Sequence, residues 1–385
     1  MSVRQRMVVL ACMLLIVWSA VPALSQPQSV PRLTERQLDK ASYVTLAKEW
    51  KQYIETNGET ADALVNLGMA YDYSEELEAA VIAGRRAVEV EPDNPKALAF
   101  LGKMLATYVG DEENALKLLE RCKEVAPDYE NGLTMLATVY MRRGELEESD
   151  EVLKTVFKQS VISRPLQDYA YNLLVGLPLG AVLVTGGDSD TFPTLALQAG
   201  MDFRKDVVVV NRSLMNLAPY AKAVFERHPA TKPEYNIDEH TTTITPQGET
   251  TLLSNKLVEK MIEEKKTPVF FAASANYEYF GFDPEVHIEG INLRASEGGL
   301  SAEESARLFL DTYRMDSATD WNFAWSLVPS VSHLLRNYVS SMIKLAEADG
   351  MTKETRSSLL DRASAIAKFH DMTKMSYYIK SLQKK

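Results

Sequence analysis

The chain contains few cysteines and few histidines. Of its 385 residues, two are cysteine, Cys12 and Cys122, and five are histidine. The histidines are scattered and show no spacing typical of zinc ligands, which argues against a zinc site. Cys12 lies in the N-terminal apolar run, so a processed chain would keep Cys122 alone, and a single cysteine forms no internal disulfide. The sequence therefore excludes a disulfide scaffold.

The chain also lacks an excess of basic residues. It has 42 Lys and Arg against 53 Asp and Glu, which gives a net charge of −11 at pH 7. Loss of residues 1–25, which contain two arginines and no acid, would make the charge more negative. Nucleic acid and anionic lipid both require a basic binding surface. Neither is an expected partner.

Long apolar runs are lacking except near the N terminus. Two arginines precede the uncharged run from Met7 to Trp18, and Ala23-Leu24-Ser25 has the small-x-small pattern of a cleavage site. These features predict a signal peptide over residues 1–25 and hence a periplasmic or otherwise exported protein. The alternative is a retained anchor, because the uncharged stretch approaches the roughly 20 residues that span a bilayer. Membrane contact is expected only in that second case.

A pattern of apolar, small and proline residues recurs every 34 to 35 residues in the first third of the chain. The first copy consists of Leu64, Leu67, Gly68, Tyr71, Ala80, Ala87 and Pro92. The second consists of Leu98, Leu101, Gly102, Leu105, Ala115, Cys122 and Pro127. A fainter third copy consists of Leu133, Leu136, Ala137, Tyr140, Ser149 and Leu153. This spacing resembles the tetratricopeptide repeat.

The resemblance implies a stack of helical hairpins. A single hairpin of this kind cannot bury its own apolar face, so neighbouring hairpins pack together and form a concave surface suited to another protein. We therefore expect a protein partner to bind through the concave face of the repeats. The amphipathic stretch Ala41–Thr56 is predicted to begin the stack, and a helix over Arg164–Gly176 is predicted to lead out of it.

From Pro178 the sequence changes to short apolar runs that alternate with helices. The runs are 181–185, 207–210 and 268–272, and the predicted helices are 193–199, 216–227 and 254–265. Such continuous β-branched runs between helices are typical of a parallel sheet that is covered on both faces. Residues 286–294 are predicted to add a hairpin at one edge, turning near Gly290, and the chain is predicted to be helical again from Ser301.

Three segments of this second half carry a family resemblance. Residues 180–193 read GAVLVTGGDSDTFP, residues 211–216 read NRSLMN, and residues 289–294 read EGINLR. They resemble the soluble C-terminal region of a bacterial membrane-protein family related to the transmembrane protein O-mannosyltransferases, over roughly residues 165–380. The family's membrane-spanning catalytic region does not accompany them in this sequence, and Gly186 and Ser189 replace two asparagines of its motif. The resemblance implies an accessory or glycan-associated domain and does not imply transferase activity.

The candidate ligand site is the acidic turn after the first strand. Parallel sheets bind ligands beyond the C-terminal ends of their strands. Glycines permit close approach of the backbone, and carboxylates accept sugar or ribose hydroxyls or hold a divalent cation. The candidate residues are Gly186, Gly187, Asp188, Asp190, Thr191, Asn211 and Asn276. The alternative is that both aspartates cap the turn and the next helix by accepting backbone N–H bonds.

The sequence thus predicts a helical-hairpin repeat stack, a Rossmann-like α/β domain with a parallel sheet, and a helical C terminus. The predicted bounds are 1–25 for the signal peptide, 26–40 for a spacer, 41–176 for the repeats, 177–298 for the α/β domain and 299–385 for a helical, repeat-like region. The protein is expected to be an exported, non-catalytic interaction scaffold without a cofactor. The sequence does not decide whether it binds a metal. The alternative is a sugar- or nucleotide-binding or glycosyltransfer-associated subunit that uses Asp188 and Asp190.

Overall fold

The computed structural model describes residues 25–31, 37–159, 162–244, 250–275, 285–295, 298–320 and 329–384. The predicted signal peptide lies outside these residues, apart from Ser25. The chain divides into two compact units, the first of which ends at Ala126 and the second of which begins at Pro127. In the described part of the chain, no helix has both the length and the apolar character needed to cross a membrane.

The first unit is a series of antiparallel helices joined by short turns. Its helices are α1 (Lys40–Asn57), α2 (Ala61–Tyr73), α3 (Leu77–Val90), α4 (Pro95–Met104) and α5 (Glu112–Val125), and α4 continues into a π-helical turn, Leu105–Val109. Side-chain caps fix where several helices begin, because their first N–H groups have no partner within the helix. The Asn94 side chain accepts hydrogen bonds from the N–H groups of Lys96 and Ala97, and Pro95 occupies the first helical position.

The small residues of the repeat pattern lie where two helices approach closely. A Cβ atom added to Gly68 would be 2.5 Å from Phe100, and one added to Gly102 would be 2.8 Å from Leu119. The large apolar residues fill the space between the hairpins, with Leu67 and Leu101 only 8% and 4% exposed. The pattern of residue sizes therefore corresponds to the packing, and the predicted hairpins of the first two copies are confirmed.

The second unit begins with the third hairpin, α6 (Glu130–Arg143) and α7 (Leu146–Lys158), followed by α8 (Arg164–Val175). Leu133, Leu136 and Ala137 of the third copy are fully buried, as the repeat pattern requires. Gly144 ends α6 in the left-handed conformation, with φ of 78°. A Cβ atom there would be 2.8 Å from the carbonyl oxygen of Pro219, so the hairpin packs tightly against the α/β part of its own unit.

The α/β part contains a mixed sheet of five strands in the order β2-β1-β5-β7-β6. The strands are β1 (Val182–Thr185), β2 (Val208–Asn211), β5 (Val269–Ala272), β6 (His287–Glu289) and β7 (Asn292–Arg294), and a separate pair is formed by β3 (Thr243–Ile244) and β4 (Thr250–Thr251). Strand β1 is parallel to both β2 and β5. The hairpin of β6 and β7 joins β5 in antiparallel fashion, and Gly290 turns it with φ of 59°.

The helices of the α/β part are α9 (Asp188–Met201), α10 (Ala218–Arg227) and α11 (Leu253–Glu264). The three predicted parallel strands and the predicted edge hairpin are confirmed, and because the hairpin pairs in antiparallel fashion, the sheet as a whole is mixed. The start of α9 differs from the prediction as well. The helix begins at Asp188 rather than Pro193, so the predicted acidic turn forms its first turn.

Helices also form the C-terminal part of the second unit. They are α12 (Ala302–Arg307), which continues into a π-helical turn, Leu308–Thr312, and then α13 (Pro329–Glu347), α14 (Lys353–Phe369) and α15 (Thr373–Leu382). Leu335 and Val339 of α13 and Leu359 of α14 are fully buried in one core that also includes β1 and β5 residues. The C-terminal helices therefore share the hydrophobic core of the sheet.

Candidate functional site

Gly186 directly follows β1 and lies against the turn that follows β5. A Cβ atom at this position would overlap the carbonyl oxygen of Ser274 and would be 2.6 Å from the Cα atom of Ala275. Only glycine fits there, because the neighbouring atoms belong to the backbone and cannot rotate away. Gly187 is different, since a Cβ atom there would meet only Asp190, at an ordinary 3.6 Å. The close packing of the turns after β1 and β5 therefore explains why residue 186 is a glycine.

Asp190 is the third residue of α9, and its carboxylate points back to the residues before the helix. Its Oδ1 atom accepts a hydrogen bond of 2.9 Å from the N–H of Gly187, and Oδ2 accepts one of 3.2 Å from the N–H of Gly186. The hydroxyl of Ser274 donates a third bond to Oδ2. The carboxylate thus satisfies N–H groups that the start of the helix leaves unpaired.

The environment of Asp190 affects its charge. The residue is 1% exposed, and this burial raises the pKa of its carboxyl group, while the bonds from Ser274, Gly186 and Gly187 partly oppose the rise. A buried carboxylate is stable only with hydrogen-bond donors around it, and here all three are groups of the protein. These hydrogen bonds join the ends of β1 and β5 to the start of α9.

A second buried group of hydrogen bonds joins β1 and β2. The hydroxyls of Thr185 and Thr191 are 2.8 Å apart, and Thr185 donates to the carbonyl of Val210 at 3.1 Å. Asn211 donates from Nδ2 to the Thr191 hydroxyl at 3.0 Å. Its Oδ1 atom accepts from the N–H groups of Ser213 and Leu214. Thr191 and Asn211 therefore hold the C-terminal ends of two parallel strands together.

The structure brings five of the seven predicted site residues together. Gly186, Gly187, Asp190, Thr191 and Asn211 meet at the C-terminal ends of the parallel strands, as predicted. Asp188, in contrast, is exposed at the first position of α9, so the two aspartates have different surroundings. Asn276 lies outside the described residues. Within the described ranges, no cluster of three or more His, Cys, Asp or Glu side chains could hold a metal ion.

Sequence reasoning missed Ser274 and Tyr220 at this junction. Ser274 bonds to Asp190 across 84 positions of the chain, and the Tyr220 hydroxyl accepts from the N–H of Asn211 at 3.3 Å. Ser274 follows β5 directly, which is the signal that would have identified it. No local pattern marks Tyr220, because a tyrosine on an amphipathic helix normally indicates core packing.

The first unit contains a different candidate site, a surface that holds a segment of the chain itself. Residues 25–31 form neither helix nor strand, and their backbone bonds to side chains of α1 and α2. The Trp50 indole donates to the carbonyl of Gln28 at 3.1 Å, and the N–H of Val30 donates to Oδ1 of Asn66 at 2.8 Å. Val30 is 5% exposed and packs in one cluster with Trp50 and Leu67. We call this surface the Asn66 surface, after the residue that binds the segment's backbone.

Comparisons with known proteins agree with the two kinds of structure. Residues 61–94 match the tetratricopeptide repeat, and residues 166–234 match the domain described as TMEM260-associated domain 2. Both resemblances predicted from the sequence are thereby confirmed in these regions. No curated protein matches the chain.

The chain is also similar to solved structures, at low sequence identity and with low TM-scores. The crystal structure of MamA is 16% identical, with 50% of this chain and 97% of that chain covered and a TM-score of 0.31. A thermophilic repeat protein of Thermus thermophilus is 18% identical, with coverage of 49% and 84% and a TM-score of 0.31. A repeat protein of Parabacteroides merdae is 11% identical, with coverage of 90% and 93% and a TM-score of 0.32.

The chain therefore contains a tetratricopeptide repeat, the kind of repeat that serves protein–protein interaction, together with a TMEM260-associated domain 2.

Proposed function

We propose that the protein is an exported, non-catalytic scaffold that binds an extended segment of a protein partner through its repeats. The Asn66 surface is the observation that carries this proposal. It already holds residues 25–31 by one backbone carbonyl, one backbone N–H and one buried valine side chain. Backbone bonds of this kind accept many sequences, and a pocket for one apolar side chain adds selectivity. A partner segment with an apolar residue at the place of Val30 fits this chemistry.

The location and the domain bounds belong to the same proposal. Export rests on the two arginines, the apolar run and the small-x-small site of residues 1–25, with cleavage favoured over a retained anchor. Repeats over 41–176, a Rossmann-like domain over 177–298 and a repeat-like C terminus over 299–385 are the proposed divisions. The rival function, a sugar- or nucleotide-binding subunit, is less favoured because Asp190 uses its acceptors within the protein.

Binding of the chain's own segment in trans tests the mechanism of the Asn66 surface. A fluorescein-labelled peptide with the sequence of residues 25–31 is titrated into a chain that begins at Gln37, and anisotropy is measured. We expect saturable binding that Asn66→Ala weakens about fivefold or more, since one hydrogen bond is worth about 1 kcal/mol. Asn57→Ala, at the exposed end of α1, is the matched control and should bind as the parent does. Equal binding by Asn66→Ala and the parent would contradict the proposed contact.

Site-specific photo-crosslinking in the native host tests the scaffold function itself. Benzoylphenylalanine replaces Lys103 on the repeat helix α4, and in a second protein it replaces Leu179, which is 83% exposed in the other unit. We expect one discrete crosslinked protein from position 103 that is not obtained from position 179. Absence of any adduct from position 103, with the protein shown to be exported and folded, counts against a protein partner on the repeat helix α4.

A further inference from the structure

Residues 25–31 occupy the binding groups of the Asn66 surface. The indole N–H of Trp50 donates to the carbonyl of Gln28, and the N–H of Val30 donates to the side chain of Asn66. Trp50 is fully buried, and Val30 packs in the same cluster of side chains. A partner that used this surface would therefore need groups that the chain's own segment already engages.

Contacts within α1 and α2 hold these binding groups in place. The Nδ2 atom of Asn66 donates to the carbonyl of Asp62, one turn earlier in α2, at 2.8 Å. The Trp50 ring lies edge-on against Tyr53 of α1, with 5.6 Å between the ring centroids. Neither contact involves residues 25–31. The surface is thus preorganised, and release of the segment leaves its binding groups in position for another ligand.

Few contacts hold the segment itself. It reads SQPQSVP and carries no charge. Pro27 and Pro31 lack a backbone N–H and disfavour helix at the residue before them, so the segment does not extend α1. Val30 alone among its seven residues is buried. Loss of this one side chain would remove the apolar contact and leave two backbone hydrogen bonds, which water can replace.

A short connection keeps the segment close to the surface. Six residues, 32–37, link it to Leu38, whose N–H donates to the hydroxyl of Tyr43 at 3.0 Å. Tyr43 belongs to the cluster that holds Val30. A ligand on a short linker acts at an effective concentration of roughly millimolar. A partner in solution must therefore compete with a segment that is always present.

We propose that residues 25–31 are an autoinhibitory segment, which closes the Asn66 surface and which a partner must displace. The partner segment that fits offers a backbone carbonyl and N–H in the places of Gln28 and Val30, with an apolar side chain at the second. This inference rests on the proposed function, because it assigns a regulation to the surface which that function uses. A contact that releases residues 25–31 would open the surface.

Binding of a peptide to the mature chain tests the competition. The probe is the fluorescein-labelled peptide of residues 25–31, and the proteins are the chain from Gln26 and its Val30→Ser variant. Serine keeps the backbone N–H and removes the apolar contact, which weakens docking in cis by roughly tenfold or more. We expect Val30→Ser to bind the peptide about fivefold or more tightly than the parent, because a surface occupied in cis lowers the apparent affinity by its open fraction. Ser29→Ala, at an exposed position of the segment, is the matched control and should bind as the parent does.

Hydrogen exchange of the Trp50 indole measures the opening directly. This signal is assigned by its loss in Trp50→Phe, and its exchange requires that the segment leaves. We expect exchange about tenfold faster in Val30→Ser than in the parent or in Ser29→Ala. The backbone amides of α2 and α3 should keep the rates of the parent, which distinguishes release of the segment from unfolding of the helices.

The chain that begins at Gln37 separates failure of this inference from failure of the proposed function. If that chain binds the peptide while Val30→Ser and the parent bind it equally, the autoinhibition is overturned and the binding surface stands. Unchanged exchange of the Trp50 indole in Val30→Ser also overturns the autoinhibition. If the chain from Gln37 does not bind the peptide, the proposed surface fails, and the autoinhibition fails with it.

Discussion

Replacement of Asp190 by asparagine is the sharpest test of the junction at the ends of the strands. The carboxylate accepts from the N–H groups of Gly186 and Gly187 and from the hydroxyl of Ser274. Asparagine keeps one oxygen and puts an NH₂ group where the second oxygen was. The Ser274 hydroxyl can rotate and accept from this group, but a backbone N–H cannot. One buried N–H is then unpaired, and we expect a loss of about 1–3 kcal/mol in the free energy of unfolding.

Urea unfolding at pH 7 measures this loss against a matched variant. Asp188→Asn removes the neighbouring carboxylate of the same helix, where the side chain is exposed. That change should cost less than about 1 kcal/mol, since exposed polar contacts and the interaction with the helix dipole are each worth little. Repeating the unfolding of the parent and of a double variant, Asp188→Asn with Asp190→Asn, in the presence of divalent cations and nucleotide sugars tests the ligand-site alternative. A parent that these ligands stabilise, beside a double variant as stable as the parent without them, would refute the capping interpretation.

The pH dependence of the free energy of unfolding is an independent test of Asp190. Burial raises the pKa of Asp190 in the folded protein, whereas the unfolded chain titrates near the usual value of about 3.9. Between these two values the folded state binds the extra proton, so the stability contributed by this group falls as the pH rises and is constant above the folded pKa. Asp190→Asn should remove this slope. An unchanged slope would show that other groups produce it.

Three further predictions concern the repeats, the glycines and export. Leu67→Ala and Leu101→Ala should each lower the free energy of unfolding by about 2–5 kcal/mol, and near-zero losses at both sites would contradict the repeat packing. Gly186→Ala should destabilise the protein by about 1–3 kcal/mol or more because it overlaps the backbone of the next turn, while Gly187→Ala should cost under about 1 kcal/mol in the same melts. N-terminal sequencing of the exported protein should begin at Gln26, and an intact Met1 in the membrane fraction would favour the anchor.

Sequence reasoning predicted those elements whose residues repeat or alternate locally. The leucine, glycine and alanine spacing gave the hairpins because each residue size corresponds to one packing position. The valine runs gave the parallel strands because strands covered on both faces are apolar throughout. Both signals are contained in short windows, and both correspond to buried residues in the structure.

The predictions that failed depended on contacts between distant parts of the chain or on a misread local signal. The sequence predicts that a helix begins at Pro193, but this proline lies inside α9. Proline there removes one backbone bond, and the hydroxyl of Thr194 donates to the carbonyl of Asp190 at 2.5 Å in the same turn. The close approach of Gly186 to Ser274 has no local signature. A glycine pair before an acidic turn therefore looks the same whether a ligand or another turn requires it.

The faintness of the third repeat copy has a structural cause in its surroundings. The hairpin of α6 and α7 packs within the second unit, where Gly200 of α9 lies against Phe157 and Arg227 of α10 pairs with Asp150. The outer residues of this hairpin contact the sheet and its helices. They therefore fit those neighbours, and the repeat pattern is retained only at positions that are buried inside the hairpin itself. Leu133 and Leu136 are such positions. Ser149 is another, since it is buried at the position where the other two copies have Ala80 and Ala115, and the packing of the hairpin there requires only a small side chain.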